Sequence, residues 1–312
     1  MRCRGSGEYV VTIVTRKRKA RVEQLAHSKR AAGVTVILKN LPMMMSLIVL
    51  TIILVGALWP TSHLFYNPLS PNLSSRFLPP LSTDQLGNIH LLGGDFLGRD
   101  MLSRLLYSGR YSLITALAAA AFVTVAASIL GVMSGYLGGW FDAFVMRVVD
   151  ALLSLPVILI AIVLATIIGR SVITLAFILA ITGWADYTRV IRAEALKVRS
   201  MAFVEASQAS GATLHHILLR SILPNTFSVM TVMTTYTVAR FILLESSISY
   251  LGMGVVPPAS SWGVMVGEGR DYIFEAPHIS VVPGVMITIT VIAINFLGDS
   301  LRDHWDPHSR RH

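Results

Sequence analysis

The sequence predicts an all-α, polytopic membrane protein with six transmembrane helices, and three observations carry that prediction. Hydrophobic residues fill 54% of the 312 positions and charged residues only 14%, well under the roughly 25% of a soluble domain. The mean hydropathy is +0.64, which is more apolar surface than one buried core absorbs and suits a bilayer. Several charge-free stretches also reach spanning length.

A helix rises 1.5 Å per residue, so about 20 apolar residues cross the hydrocarbon layer. Leu41–Trp59 meets this without a charge and is the first expected span. The second lies in Tyr111–Gly135. Before it, Met101, Leu102, Leu105 and Leu106 recur at the spacing of a short amphipathic helix. The third runs from Ala143 to Ile168, with Arg147 and Asp150 near its start, and the fourth is short, Ser171–Ala185. The fifth, Thr226–Leu251, holds Arg240 and Glu245, and the sixth is Ile279–Leu297. Trp59 and Trp184 stand near span ends, as interfacial aromatics do.

The spans divide the chain into a basic tail (1–40), the first span (41–59), a long external loop (60–109), a transmembrane core (110–299) and a short tail (300–312). With the N-terminus inside, the first tail holds ten Lys/Arg, the 186–225 segment five and the last tail three, against six outside. That asymmetry places both termini in the cytoplasm.

The formal net charge of +9 belongs to this bias. With no recognition module beside the basic residues, nucleic acid is not an expected partner, and the lipid bilayer is. Cys3 is the only cysteine, which excludes an internal disulfide and a cysteine metal cluster. No removable signal peptide is expected, because the first apolar run begins only near Leu41. No G-x-x-x-x-G-K-[ST] occurs, so the chain has no phosphate-cradling loop and no cofactor of its own. Clustered His/Asp/Glu or Ser/His within spans, which a membrane-embedded enzyme needs, is also missing.

The internal segment 186–225 is the most informative. Ala, Leu, Glu and Arg make Tyr187–Ala209 a strong helix former. Gly211 breaks it, Leu214–Leu223 resumes, and Pro224 and Asn225 close it before the fifth span. Phe203, Ala206, Ala209 and Ser210 share a narrow face of mostly small side chains. Two readings fit that face: docking to a soluble partner, or packing on the chain's own inner helix ends.

Glu205-Ala206-Ser207, Gly211 six positions after the glutamate, and Ile222-Leu223-Pro224-Asn225 resemble the EAA motif of ABC importer permeases. Ser207 stands where a second Ala is usual. Other stretches resemble the branch of that family for peptides and nickel. They are Gly93-Gly94-Asp95-Phe96-Leu97-Gly98-Arg99-Asp100, with Gly94 where Thr is usual; Asp142, Met146-Arg147, Asp150 and Pro156; Leu251-Gly252-Met253-Gly254, Pro257-Pro258 and Trp262-Gly263; and Leu297-Gly298-Asp299, Leu301-Arg302-Asp303 and Asp306-Pro307. The resemblance runs from about Asn67 to Pro307. It implies that 202–225 is a coupling helix seated in a groove of an ATPase subunit, through Glu205, Ala206, Ser207, Gly211, Ile222 and Pro224. It implies a bacterial inner-membrane complex with a homologous permease, two ATPase subunits that bind the ATP, and an extracytoplasmic binding protein. The implied cargo is di- or oligopeptides, with nickel or a nickel chelate as the alternative. A secondary transporter, the rival from another class, predicts internal repeats and mid-bilayer ionisable pairs, and no repeat is visible.

Single residues carry two readings each. Glu245, with Arg240, either lines the translocation path, where it meets a substrate ammonium group, or ties helices together. Arg147 and Asp150, one turn apart, are placed to pair on one helix face, and with Asp142 to brace the inner interface. His304, His308 and His312 recur every fourth position, but Pro307 interrupts any helix through them, which favours a tail over a metal site. His215 and His216 read as solvent-facing. Met43-Met44-Met45 reads as lipid-facing filler or as an alternative start.

Overall fold

Hydrocarbon offers no water to an open backbone hydrogen bond, so a chain this apolar closes those bonds within helices. The structure is a computed structural model and describes residues 41–60, 64 and 66–305, with side chains to Asp303. The basic tail with Cys3, and His308, His312 and Asp306-Pro307, lie outside the described residues, as does the side chain of His304.

Nine helices carry the described part. They are α1 (Leu41–Leu58), α2 (Met101–Leu137), α3 (Gly139–Leu153), α4 (Val157–Ile168), α5 (Val172–Arg199), α6 (Ala202–Ala209), α7 (Leu214–Met253), α8 (Trp262–Gly269) and α9 (His278–Trp305). Among them α1, α2, α7 and α9 are each long and apolar enough to cross a membrane, and α3 with α4 adds one crossing if the bent pair counts as one. The fourth expected span falls in α5, whose apolar first half runs straight on through Asp186 and Arg189.

Several expectations change at the boundaries. The short helix before the second span is not separate: α2 is one helix of 37 residues, about 55 Å long. Asp100 opens it by accepting the Ser103 N–H, and Gly138, at φ +68°, ends it. The third span is not one helix, because α3 and α4 meet at 87°. Pro156 supplies no N–H and biases Leu155 out of the α region, so helix ends at Ser154. The internal helix expected over Tyr187–Ala209 is the end of α5, and a break at Ser200–Met201 precedes α6. Nor does Pro224 end a helix. A π-helical stretch, Ile217–Ile222, runs directly into the α-helical part of α7. There the Leu223 N–H reaches back to the Leu218 carbonyl, five residues away, and the Asn225 side chain donates to the Ser221 carbonyl at 2.7 Å. The five-residue register accommodates a residue that cannot donate.

Helix α2 lies against α5 along small residues. Ala116, Ala120, Ala127, Gly131 and Gly135 are buried on one stripe. A Cβ at Gly131 would stand 2.9 Å from the Thr188 carbonyl, and one at Gly135 would stand 2.7 Å from that of Arg192. Without water to drive helices together in lipid, such close van der Waals contact is what holds them. On the other side of α5, Gly183 receives the ring of Phe241 from α7. Helix α8 inserts Trp262 beside Gly109, where its indole N–H donates to the Leu105 carbonyl at 2.9 Å. A second, small cluster joins α3 to α5 through Val145, Val149 and Ala185.

Outside the helices, residues 67–100 form a lobe around one short hairpin. Its strands, β1 (Ser82–Thr83) and β2 (Ile89–His90), pair antiparallel.

A Cβ at position 183 would lie 2.3 Å from Phe241 Cζ. Overpacking of this kind costs about 1–3 kcal/mol, so Gly183→Ala should lower the thermal midpoint of the detergent-purified protein. Phe241→Leu removes the ring tip. The double variant should therefore lose less than the sum of the two single losses, whereas strict additivity would refute this packing.

Candidate functional site

The segment 202–225 is built as a rigid, outward-facing turn. Val204 is fully buried and anchors α6 in the core. Phe203, Glu205, Ala206, Ala209 and Ser210 are all exposed. The four residues placed on one face by spacing thus present it outward. The Ser207 hydroxyl donates to the Phe203 carbonyl at 2.8 Å, so the serine satisfies itself on its own helix and leaves the face unchanged.

Gly211 ends α6 at φ +76°. Its N–H donates to Gln208 O at 3.0 Å, and the Ala212 N–H donates to Ser207 O at 3.1 Å. That pair is the Schellman pattern, which needs a left-handed residue at this point. Thr213 then caps α7 by accepting the His216 N–H at 3.4 Å. His215 and His216 face solvent. A further tie fixes α6 to the end of α2, where Gln208 Nε2 donates to the Tyr136 hydroxyl at 3.2 Å. The Arg199 guanidinium lies 5.7 Å from the centre of the same tyrosine ring. Ile222 is fully buried, and Pro224 is exposed. The six residues singled out therefore divide: Ile222 anchors, Gly211 turns, Ser207 is half-buried, and Glu205, Ala206 and Pro224 are available to a partner.

Arg240 and Glu245 do not come together. The Arg240 guanidinium pairs with Asp186 of α5, a residue that spacing alone did not single out. Glu245 is 1% exposed, and Ser249 donates to its Oε1 at 2.6 Å. Its Oε2 has no hydrogen-bond partner among the described residues. Hydroxyls of Ser112 on α2, Ser246 on α7 and Ser261 at the start of α8 also face the carboxyl. Glu245 thus stands where three helices meet, enclosed within this chain.

Around α3 the ion pairs run between helices. Asp150 pairs with Arg189 of α5, not with Arg147 one turn away. Asp142 takes Arg192 in a two-pronged contact, with Nη2 at 2.6 Å, and also accepts from Ser134 of α2. The intrahelical pairing expected from spacing gives way because the small core around Val149 seats α3 against α5 and so brings the adjacent Asp150 to Arg189.

The lobe holds a polar cluster whose residues the run Gly93–Asp100 contains but whose partners sequence reasoning did not connect. Asp95 is fully buried. Its Oδ1 accepts the N–H groups of Leu97 and Arg99, at 2.8 and 2.9 Å. Its Oδ2 accepts Arg99 Nε at 2.6 Å and Arg104 Nη1 at 2.8 Å. Arg104 Nη2 donates on to Glu268 of α8 at 2.6 Å. One charge network thus joins the lobe, the first turn of α2 and α8. At Gly94, where Thr is usual, a Cβ would stand 2.1 Å from the Ser75 carbonyl, so this lobe has room only for glycine. Beside it, His90 Nδ1 lies 2.9 Å from Asp100 Oδ1, and the Tyr66 ring stacks on the imidazole at 4.7 Å. Asp84 accepts the N–H groups of Leu86 and Asn88. The bonds from Asn88, backbone first and then side chain, hold its carboxyl below the usual range. The signal for this cluster is the run Gly93–Asp100, which spacing alone cannot connect to Glu268.

Comparison with known proteins gives a consistent answer. Residues 127–311 match the family described as binding-protein-dependent transport system inner membrane component. A Brucella ovis protein whose name describes a peptide permease is 40% identical over 222 residues, 70% of this chain and 74% of the relative. A Brucella suis protein named for a peptide transport system permease is 38% identical, covering 84% of this chain and 86% of its own. An Escherichia coli K12 protein named for D,D-dipeptide transport is 31% identical, covering 84% and 85%.

Two outcomes follow from the cluster of residues 67–100. Arg104→Met leaves Glu268 only its looser 3.7 Å contact with Arg99 and takes one bond from a buried carboxylate, a class of change that costs about 3–5 kcal/mol. It should lower the unfolding midpoint far more than Arg76→Met on the surface. For Asp84 the lowered pKa sets the sign. The stability it contributes is complete above the ordinary carboxylate value and is lost as pH falls through the lowered one. The protection of the Leu86 and Asn88 amides, relative to their intrinsic exchange at each pH, should fall only in that acid range, and Asp84→Asn should abolish that dependence of protection on pH.

Proposed function

Because the chain belongs to the family of binding-protein-dependent transport system inner membrane components, we propose that it is a permease subunit of an ATP-driven importer of di- or oligopeptides, coupled to separate ATPase subunits through residues 202–225. The cargo reading rests on the peptide and dipeptide transport named for the relatives. The coupling reading rests on one observation above the rest. An eight-residue helix shows small, exposed residues to its surroundings while a buried valine, a Schellman turn and a tyrosine contact fix its position. A groove in a partner protein grips such a helix through its small face.

On this reading both termini are cytoplasmic and the chain crosses the inner membrane six times, with α5 as the fourth crossing. A homologous permease completes a path that this subunit does not enclose alone. Two ATPase subunits supply the nucleotide sites that the chain lacks, and a binding protein delivers peptide from outside. ATP binding draws the ATPases together and carries the two coupling segments with them. The spans then shift between inward- and outward-open states, a population shift driven by the nucleotide's differential affinity for the two. Arg240 and Glu245 act in this scheme by holding α7 against α5, α2 and α8 while it moves.

The test uses the assembled complex. Gly211→Pro fixes φ near −65°, where +76° is needed, and removes the N–H given to Gln208. Glu205→Lys reverses the charge at the exposed face. Both variants should insert at normal abundance, bind the ATPase subunits weakly and lose peptide uptake by at least about tenfold, 1.4 kcal/mol or more of coupling. Gly211→Ala, with no atom within 4 Å of the new Cβ, should fall between. Normal uptake by Gly211→Pro, or labelling of Ala206→Cys from the periplasm, would refute the assignment.

A further inference from the structure

We propose that α3 lies in the headgroup layer of the inner leaflet and holds an anionic phospholipid there, with Trp140 and Phe144 in the acyl boundary and Arg147 on the phosphate. The depth comes from its anchors. Helix α5 is free of charge from Val172 to Ala185, and its next charged residues are Asp186, Arg189 and Arg192. Helix α3 is pinned to the last two of these, Asp150 to Arg189 and Asp142 to Arg192. It therefore sits at the level where α5 leaves hydrocarbon. The direction comes from the bend: α4 is an unbroken apolar helix, Val157–Ile168, and α3 stands at 87° to it. Helix α4 rises about 18 Å into the hydrocarbon, and with α4 along the bilayer normal α3 runs along the surface.

The two faces of α3 agree with this placement. One is buried against α5 through Val145 and Val149. The opposite face carries Trp140, Ala143, Phe144, Arg147 and Ala151, all exposed. Trp140 is 79% and Phe144 56% exposed within this chain. Their rings stack at 5.7 Å, one turn apart. A soluble surface seldom presents such a pair, whereas a membrane interface is where amphipathic rings collect. Arg147 lies one turn beyond Phe144 on the same face and has no ion pair among the described residues. A guanidinium matches a phosphate by geometry as well as by charge, so the face offers an anionic lipid both of its parts. Tyr136, at the end of α2 just before α3, contacts Gln208 of α6, which puts α3 on the side of the coupling segment.

Only the choice of leaflet rests on the proposed function. The depth of α3 is read without transport, so the two can fail separately. The experiment places the full complex in nanodiscs of phosphatidylcholine and phosphatidylglycerol. The Trp140 signal is isolated as the difference between the parent protein and Trp140→Phe. Phospholipid brominated close to the headgroup should quench that signal at least twofold more than phospholipid brominated at the chain ends, and aqueous iodide should quench it weakly. Arg147→Gln should reduce the phosphatidylglycerol that copurifies with the complex by about fivefold, the factor one basic residue contributes at an anionic surface, and Arg147→Lys should restore most of it. Strong iodide quenching, or quenching by neither agent because a partner protein covers the face, would overturn the proposal. So would unchanged phosphatidylglycerol retention in Arg147→Gln.

Discussion

The contact between α2 and α5 fixes the position of everything else. Two helices in lipid gain little from burying apolar side chains, since the lipid is as apolar as they are. What they gain is atomic contact, which is greatest where no side chain intervenes. Gly131 and Gly135 sit on the backbone of α5 with no space for a Cβ. Tyr187 of α5 extends the same seam to α7, donating to the Met230 carbonyl at 3.1 Å. Once α5 is seated, the point where it leaves the membrane is set. Both α3, held by Arg189 and Arg192, and α6, joined at Ser200–Met201, hang from that point.

The lobe of residues 67–100 solves a different problem with different forces. Its Leu, Ile and Phe side chains stay partly or fully exposed, whereas Ser75, Asp84, His90, Asp95 and Asp100 are buried, so charge and backbone geometry organise it. Burying Asp95 is expensive unless every lone pair is used, and here four donors use them. The same arginine that completes the set reaches Glu268 on α8. Helix α8 is in turn wedged by Trp262 against Gly109. The lobe, the start of α2 and α8 thus form one unit at one end, as α3, α5 and α6 do at the other.

Hydropathy makes the spans legible, and it does so for a physical reason: about 20 apolar residues in a row have few other uses. It could not locate the joints. The bend between α3 and α4 follows from Pro156, yet the pattern on both sides reads as one span. The continuity of α5 through Asp186 was hidden because charge ends an apolar stretch without ending a helix. Gly211 was legible as a turn because a left-handed residue after a helix is a local requirement. The partners of Asp142, Asp150 and Arg240 were not, because each lies on another helix 39 to 54 residues away. The burial of Glu245 is equally remote from its sequence, being set by serines from α2 and α8.

An eight-residue helix has too few turns to hold its shape alone, so α6 is stiff only through its attachments. It has three: Met201 ties it to α5, Gln208 to the end of α2, and the Gly211–Thr213 turn to α7. A force applied to its exposed face therefore reaches three membrane helices at once. The first two attachments lead into the tightly packed α2–α5 seam, which yields little. The third leads into the π-helical stretch Ile217–Ile222, where the hydrogen-bond register is already shifted, and Pro224 just beyond it lacks a donor. π stretches are rare and short within α-helices. The proposed lever thus meets α2 and α5 through tight packing and α7 through a shifted hydrogen-bond register, and α7 is the helix that carries both Arg240 and Glu245.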